Sequence, residues 1–318
     1  MMGTESRSRA NVAVILPAYD EAQTIAATIK DFHHFAPEAE IWVVNNRSRD
    51  ATGAIARETL SVLGCKGGVI DEGRPGKGAA IRRAFLEIDA TIYVLADADS
   101  TYSAAQVREL IAPVLAGEAD MVVGDRHSAG NYAAHIKRPF HNFGNRLVRT
   151  LVNRLFNAHL ADIMSGYRVV SRRFAMNYPI LVEGFEIETD MTLHALDKRF
   201  RIVERPIEYC DRPAGSVSKL TTLRDGLRVL ATIWNILRHY RPLAFFGACG
   251  LIVSFIGLLC GLPVIDEWIR VQYISHVPLA ILATGLQIVA MVLFAIGLVL
   301  DSIAHQDKRN FEHELHQR

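Results

Sequence analysis

Two stretches, Leu243 to Ile265 and Val277 to Leu300, each run for more than twenty residues nearly free of charge, and nothing else limits the architecture as strongly. Each is long enough to span a bilayer. A buried helix of a water-soluble domain keeps one polar face, whereas these segments are apolar all round, so they read as transmembrane helices forming a hairpin. Arg238, His239 and Arg241 precede the first span and Lys308 and Arg309 follow the second, while the connecting loop carries Asp266, Glu267 and only Arg270. The positive-inside rule then predicts both chain ends in the cytoplasm. The hairpin also accounts for a hydrophobic content of 50% in 318 residues, high for a soluble chain.

The rest is long enough for one sizeable α/β core. Arg7 and Arg9 precede only the short apolar run Val12 to Leu16, which meets Pro17 too early for a signal-peptide core, so this domain is expected to stay in the cytoplasm. Thirty-five basic against 34 acidic residues leave a net charge of +1, which excludes the global basic field of a nucleic-acid binder. Cys65, Cys210, Cys249 and Cys260 show neither CxxC pairing nor disulfide-scaffold spacing and read as reduced, structural thiols.

Leu223, Leu227, Leu230, Trp234 and Leu237 recur at helical spacing just before the first span, with Arg224, Arg228 and Arg238 on other faces. That pattern predicts an interfacial helix. Phe143, Leu147, Leu151, Leu155 and Phe156, interleaved with Arg146, Arg149 and Arg154, fit either a second interfacial helix or a surface helix packed on the core. The domain limits read from these patterns are 1–220 for the catalytic domain, 221–242 for the interfacial helix, 243–300 for the two spans and 301–318 for a cytoplasmic tail.

The first half alternates short β-branched runs with helical patterns: Val12 to Leu16 then a helix from about Glu21, and Ile41 to Val44 then a helix from about Ala51. Further strands are predicted at Gly68 to Ile70, Ile92 to Ala96 and Met121 to Gly124. Such alternation reads as a parallel-sheet α/β domain, whose ligands sit at the carboxyl ends of the strands. The polar groups that fall there are Tyr19 and Glu21, then Asn45, Asn46, Ser48 and Asp50, then Lys77, then Asp97 and Asp99.

Asp97-Ala98-Asp99 follows the apolar strand Ile92 to Ala96 and offers two carboxylates with one residue between them. Hard oxygen ligands of this kind suit Mg²⁺ or Mn²⁺, which can neutralise a departing diphosphate. Without its strand, an Asp-x-Asp triplet is an ordinary solvated turn. The run Gly73 to Gly78 opens a helix at Lys77, where backbone amides and one ammonium can approach phosphate or ribose; its alternative is a turn with a solvated lysine. Asn45 to Asp50 can both cap the next helix, through Asp50 or Ser48, and contact a nucleotide.

Together, Pro17-Ala18-Tyr19-Asp20-Glu21, the Asn45 to Asp50 turn, Gly76-Lys77-Gly78, Asp97-Ala98-Asp99, Gly124-Asp125-Arg126 and Asp162 to Arg168 resemble glycosyltransferase family 2. Their order and spacing are similar to the dolichyl-phosphate mannose synthase and dolichyl-phosphate glucosyltransferase branch, and the likeness extends through Arg212 to Lys219 and the hairpin. The resemblance implies a GT-A fold with Pro17, Tyr19 and Glu21 around a nucleotide-sugar donor and Lys77 near its base or ribose. Asp97 and Asp99 would hold ribose, Mg²⁺ or Mn²⁺, and diphosphate. Two positions depart from the family: Asp20 stands where asparagine is usual, and Asn45 where an aspartate usually meets the base. Asparagine offers both a donor and an acceptor, so it can pair with a uracil or a guanine edge. Thr101 stands where mannose synthases can carry glutamine as a further metal ligand.

For the acceptor, Arg126, Lys137, Arg138 and the segment with Arg212, Ser218 and Lys219 supply cations that suit a phosphate monoester; a basic patch attracted to anionic lipid is the alternative. Asp99, Arg126, Arg138 and Lys219 are the expected catalytic set. Asp162 matches an acidic position of the family, as do Glu186 and Glu188, which in an extended strand would point to one face. The resulting expectation is an inverting transferase that moves a sugar from a nucleotide-sugar to a polyprenyl phosphate at the cytoplasmic membrane face. Its rivals are another lipid acceptor, a processive synthase, disfavoured because no QxxRW-type motif is present, and a catalytically silent membrane adaptor.

Overall fold

The structure is a computed structural model that describes residues 11–128, 139–182, 186–210 and 233–317. The chain divides into two compact units, Met1–Thr222 and Leu223–Arg318.

The first unit is built on seven strands: β1 (Val12–Ala18), β2 (Glu40–Asn45), β3 (Gly67–Asp71), β4 (Ile92–Leu95), β5 (Met121–Asp125), β6 (Arg168–Ser171) and β7 (Ile202–Pro206). Their spatial order is β3-β2-β1-β4-β6-β5-β7. Helices α1 (Ile25–Phe35), α2 (Thr52–Leu63), α3 (Lys77–Glu87), α4 (Val107–Leu115), α5 (Pro139–Phe156), α6 (Arg172–Asn177) and α7 (Ile187–Asp197) alternate with the strands. All four residues of β4 and all five of β5 are buried, as expected of strands covered on both faces.

β1 pairs in parallel with β2 on one side and β4 on the other, and β2 with β3, as the sequence alternation predicts. The sheet is nonetheless mixed, not parallel: β6 runs antiparallel to both β4 and β5, while β5 and β7 are parallel. Strand β6 has only four residues and opens with arginine, so it carries no readable apolar run. Because order reverses between β1 and β4, their carboxyl ends lie side by side, which is where doubly wound sheets bind ligands. Helix α5 packs through Val148 and Val152, both buried, and leaves Leu147 outward, which is the geometry of a surface helix.

In the second unit, residues 233–240 are helical; the earlier part of the expected interfacial helix, including Arg224 and Arg228, lies outside the described residues. Helices α8 (Pro242–Val271) and α9 (Val277–Gln317) form a hairpin, and both are long and apolar enough to cross a membrane. Thirty residues of helix rise about 45 Å, more than the roughly 30 Å of a hydrocarbon core. α9 continues unbroken past Leu300 to Gln317, so the described part of the segment expected as a tail is helical.

The hairpin seam repeats every seven residues, with Gly250, Gly257 and Val264 buried on α8 and Ala283 and Ala290 on α9. Small residues at that interval let two backbones approach closely. Ser254 Oγ donates to Gln287 Oε1 at 2.8 Å and Gln287 Nε2 donates to the Ser254 carbonyl at 2.9 Å, so the seam's polar groups satisfy each other. A Cβ at Gly257 would lie 2.9 Å from Gln287 Nε2 and 3.0 Å from Leu286 Cβ. Gly257→Leu is therefore expected to lose about 1–3 kcal/mol of hairpin stability, read as a lower midpoint in a denaturing-detergent titration.

Candidate active site

The loops after β1 and β2 are stitched together by side chains. Asp20 N donates to Ser48 Oγ at 3.1 Å, Glu21 N to Thr52 Oγ1 at 2.8 Å and Ala22 N to Asp50 Oδ2 at 3.1 Å, while Asp20 Oδ1 accepts from Arg49 N at 2.6 Å. Asp20 has φ 54, a left-handed conformation that a short polar residue tolerates, so aspartate serves where asparagine is usual in the family. Asp50 also accepts from Thr52 N at 3.0 Å, so capping and loop alignment are carried by one carboxylate. These contacts fix the segment that holds Pro17, Tyr19 and Glu21. Asn45 and Asp71 are register partners at the ends of β2 and β3, and Asn45 Nδ2 donates to Asp71 Oδ1 at 2.8 Å.

The turn after β4 is anchored from beneath. Thr24 Oγ1 and Thr28 Oγ1, one turn apart at the start of α1, donate to the Ala98 carbonyl at 2.8 and 3.3 Å. Asp99 is 3% exposed, and its Oδ1 accepts from Thr101 N at 3.2 Å and Thr101 Oγ1 at 2.6 Å. Thr101 therefore orients a carboxylate. Asp97 and Asp99 are hard oxygen donors at a strand end, a set that fits Mg²⁺ or Mn²⁺. Among the described residues, no group of three or more His, Cys, Asp or Glu is arranged to hold an ion.

Lys77 opens α3 after Gly76, whose φ of 108 excludes a side chain and whose N–H donates to Asn46 Oδ1 at 2.8 Å. Its ammonium bonds Asp97 Oδ1 and, at 2.5 Å, Glu188 Oε1. Burial opposes the charge on Lys77, but the two carboxylates outweigh it and push its pKa above the ordinary lysine value. Glu186 and Glu188 are not in an extended strand: α7 starts at Ile187, so Glu188 sits in its first turn. Gly166 lies directly over this cluster, where a Cβ would stand 2.8 Å from Asp97 Oδ2 and 3.0 Å from Lys77 Nζ. The N–H of Gly166 donates to Tyr102 Oη at 3.0 Å.

Arg126, just past β5, grips Asp162 with Nε at 2.7 Å and Nη2 at 2.9 Å, and its guanidinium lies 5.7 Å from the Tyr209 ring centre. Burial works against ionisation of Asp162, but the hydrogen bonds and charge of Arg126 hold its carboxyl below the ordinary range. Glu204 on β7 accepts from the Ala161 and Asp162 amides at 2.8 Å, fixing that turn from the other side. Arg168, 1% exposed, donates to the Ser165 and Ile163 carbonyls, each at 2.8 Å, and to Thr192 Oγ1 at 2.9 Å, tying the Asp162 turn to α7. Asp162→Ala removes the carboxylate that takes two donors of the Arg126 guanidinium, whose side chain is only 11% exposed, and is expected to destabilise by about 3–5 kcal/mol, with an Arg126→Met/Asp162→Ala double variant losing less than the sum in thermal unfolding.

The structure thus brings Lys77, Asp97 and Glu188 into contact and sets Arg126 on Asp162. Lys137, Arg138, Arg212, Ser218 and Lys219 lie outside the described residues, as do Gly184 and Phe185. Thr24, Thr28, Tyr102 and Glu204 were not singled out from the sequence. Thr24 and Thr28 carried a signal in hindsight, since two threonines four apart present adjacent hydroxyls on one helix face.

A switch-point site with paired carboxylates after β4, on a mixed sheet of this order, defines a glycosyltransferase of GT-A architecture. The chain belongs to glycosyl transferase family 2, whose match covers residues 13–178. Glycosyltransferase AglJ of Haloferax volcanii is 29% identical over 293 residues, spanning 92% of this chain and 93% of that protein. Polyprenol monophosphomannose synthase of Mycolicibacterium smegmatis is 28% identical, covering 70% of this chain and 86% of that one. Undecaprenyl-phosphate mannosyltransferase of Micrococcus luteus is 26% identical, covering 73% and 97%. Among solved structures, glucosyl-3-phosphoglycerate synthase of Mycobacterium tuberculosis, crystallised with Mn²⁺ and UDP, superposes with a TM-score of 0.56 at 20% identity, over 72% of this chain and 79% of that one, a likeness of fold.

Proposed function

We propose that this glycosyltransferase moves a sugar from a nucleotide-sugar to a polyprenyl phosphate at the cytoplasmic face of a membrane, with inversion at the anomeric carbon. The observation that carries the reading is the extent of the likeness to the Micrococcus luteus undecaprenyl-phosphate mannosyltransferase, 97% of which is covered. The apolar hairpin supports a lipid-borne acceptor, because it holds the enzyme at the surface where such a substrate resides. Charge asymmetry about the hairpin supports cytoplasmic ends.

In this reading Pro17, Tyr19, Glu21 and Asn45 line the nucleotide and Lys77 approaches its ribose or base. Asp97 and Asp99 would hold Mg²⁺ or Mn²⁺, which when bound offsets the charge of the diphosphate leaving group. Arg126, which Asp162 orients, holds the acceptor phosphate together with Lys137, Arg138, Arg212, Ser218 and Lys219. A phosphate oxygen is anionic near neutral pH, so the protein's task is to align it and not to deprotonate it. Purified full-length protein given labelled UDP- and GDP-sugars, Mn²⁺ and polyprenyl phosphate is expected to yield a chloroform-soluble product. Absence of lipid-linked label across the whole donor panel rejects the reading.

A further inference from the structure

Lys77 is shared by two carboxylates that reach it from a strand end and from a helix. Asp97 comes from the end of β4, in the pair assigned above to the cation; Glu188, from α7, is outside that pair. The Lys77, Asp97 and Glu188 side chains are only 10%, 30% and 10% exposed, so water does little to screen them. Glu188 has its own support. Thr192 Oγ1 donates to the Glu188 carbonyl at 3.0 Å and accepts from buried Arg168, which fixes the first turns of α7. Gly166 bounds the cluster with bare backbone, because a side chain there would strike both Asp97 and Lys77.

We propose that Lys77 is a built-in competitor for the cation at Asp97, which ties cation binding to arrival of the nucleotide diphosphate, and that Glu188 is a positioning residue that limits this competition by drawing the ammonium toward itself. The inference rests on the reading that Asp97 and Asp99 hold the divalent cation. An ammonium and a divalent cation on one carboxylate repel across a few Å in a poorly screened site. A nucleotide diphosphate relieves that conflict twice, by adding oxygens for the cation and by offering the ammonium ribose or base oxygens as further partners. Glu188 supplies a resting place for the ammonium away from Asp97. Without it the whole lysine charge falls on the cation's own ligand.

The test is Mn²⁺ binding by the full-length protein in lipid nanodiscs, followed by electron paramagnetic resonance of free Mn²⁺, with and without UDP or GDP. Lys77→Met is expected to bind Mn²⁺ roughly tenfold more tightly than wild type when nucleotide is left out, the effect of one nearby like charge on a carboxylate site. Glu188→Gln should bind more weakly than wild type, and the loss should be clearly smaller in the Lys77→Met background, where only the direct attraction between the Glu188 charge and the cation remains. Lys77→Gln, which keeps a donor for both acids, covers the case in which Lys77→Met fails to fold. Unchanged or weaker Mn²⁺ affinity in the folded lysine variants overturns the proposal. So does a Glu188→Gln loss as large in the Lys77→Met background as in wild type, which would mean that Glu188 acts on the cation directly and not through the ammonium. Asp97→Ala and Asp99→Asn separate the two readings. If they abolish Mn²⁺ binding while lysine variants leave it unchanged, only this inference falls; if they too leave it unchanged, the cation site falls and this inference with it.

Discussion

Asp99→Asn is expected to lower sugar transfer by about 10³-fold or more while the protein stays folded. Asparagine keeps the side-chain oxygen that Thr101 N and Oγ1 donate to, and it keeps the shape of a residue that is 3% exposed. What it loses is the negative charge. Alanine would instead orphan the donors of Thr101 in a buried turn, a cost of about 1–3 kcal/mol that would mix misfolding with lost chemistry. Initial rates across a Mn²⁺ series, alongside thermal unfolding of both proteins, check the prediction. Near-normal turnover at low Mn²⁺ in the folded variant would remove Asp99 from the cation site.

The strands that carry the donor half were legible because they are β-branched runs that end in polar turns. β1, β2, β3 and β5 include the predicted runs with ends extended by a residue or two, and β4 stops at Leu95, one residue short of the predicted Ala96. β6 and β7 were not. β6 offers only two valines between Arg168 and Ser171, and β7 mixes Glu204 and Arg205 into a partly exposed edge. Strands of that kind are set by their neighbours in the sheet and not by their own pattern. Missing them concealed the antiparallel insertion that carries Arg168, and with it the route from the Asp162 turn to α7.

Side chains at the site divide in the same way. Asp97, Asp99 and Lys77 announce themselves by local context, a strand end or a glycine-flanked helix start. The groups that orient them do so across the chain: Thr24 meets the Ala98 carbonyl from 74 residues away, and Lys77 meets Glu188 across 111. No window of sequence contains both partners. Arg126 shows the limit from the other side. Sequence marks it as a cation for phosphate, yet its Nε and Nη2 both bond Asp162, so its position is settled before any acceptor arrives. A guanidinium held this way is preorganised, and a carboxylate partner also tempers its charge.

If the acceptor is a phosphate monoester, transfer to polyprenyl phosphate should exceed transfer to the matching polyprenol by about 10³-fold or more, since a site built for an anion is left with unpaired cations by the alcohol. The alcohol also needs its proton removed during attack, whereas the phosphate oxygen needs little. Diacylglycerol supplies a lipid hydroxyl at the same surface and tests whether membrane location alone is enough. One displacement at the anomeric carbon, with the diphosphate leaving opposite the incoming oxygen, converts an α-linked donor into a β-linked product. The measurement is a labelled-sugar assay with these three acceptors, followed by NMR of the anomeric coupling in whichever product forms. Lys219→Ala and Arg138→Ala should raise the KM for polyprenyl phosphate more than that for the donor, because they belong to the proposed acceptor set. Equal use of the alcohol, or an α-linked product from an α-linked donor, would overturn the assignment of a phosphate nucleophile attacking in a single step.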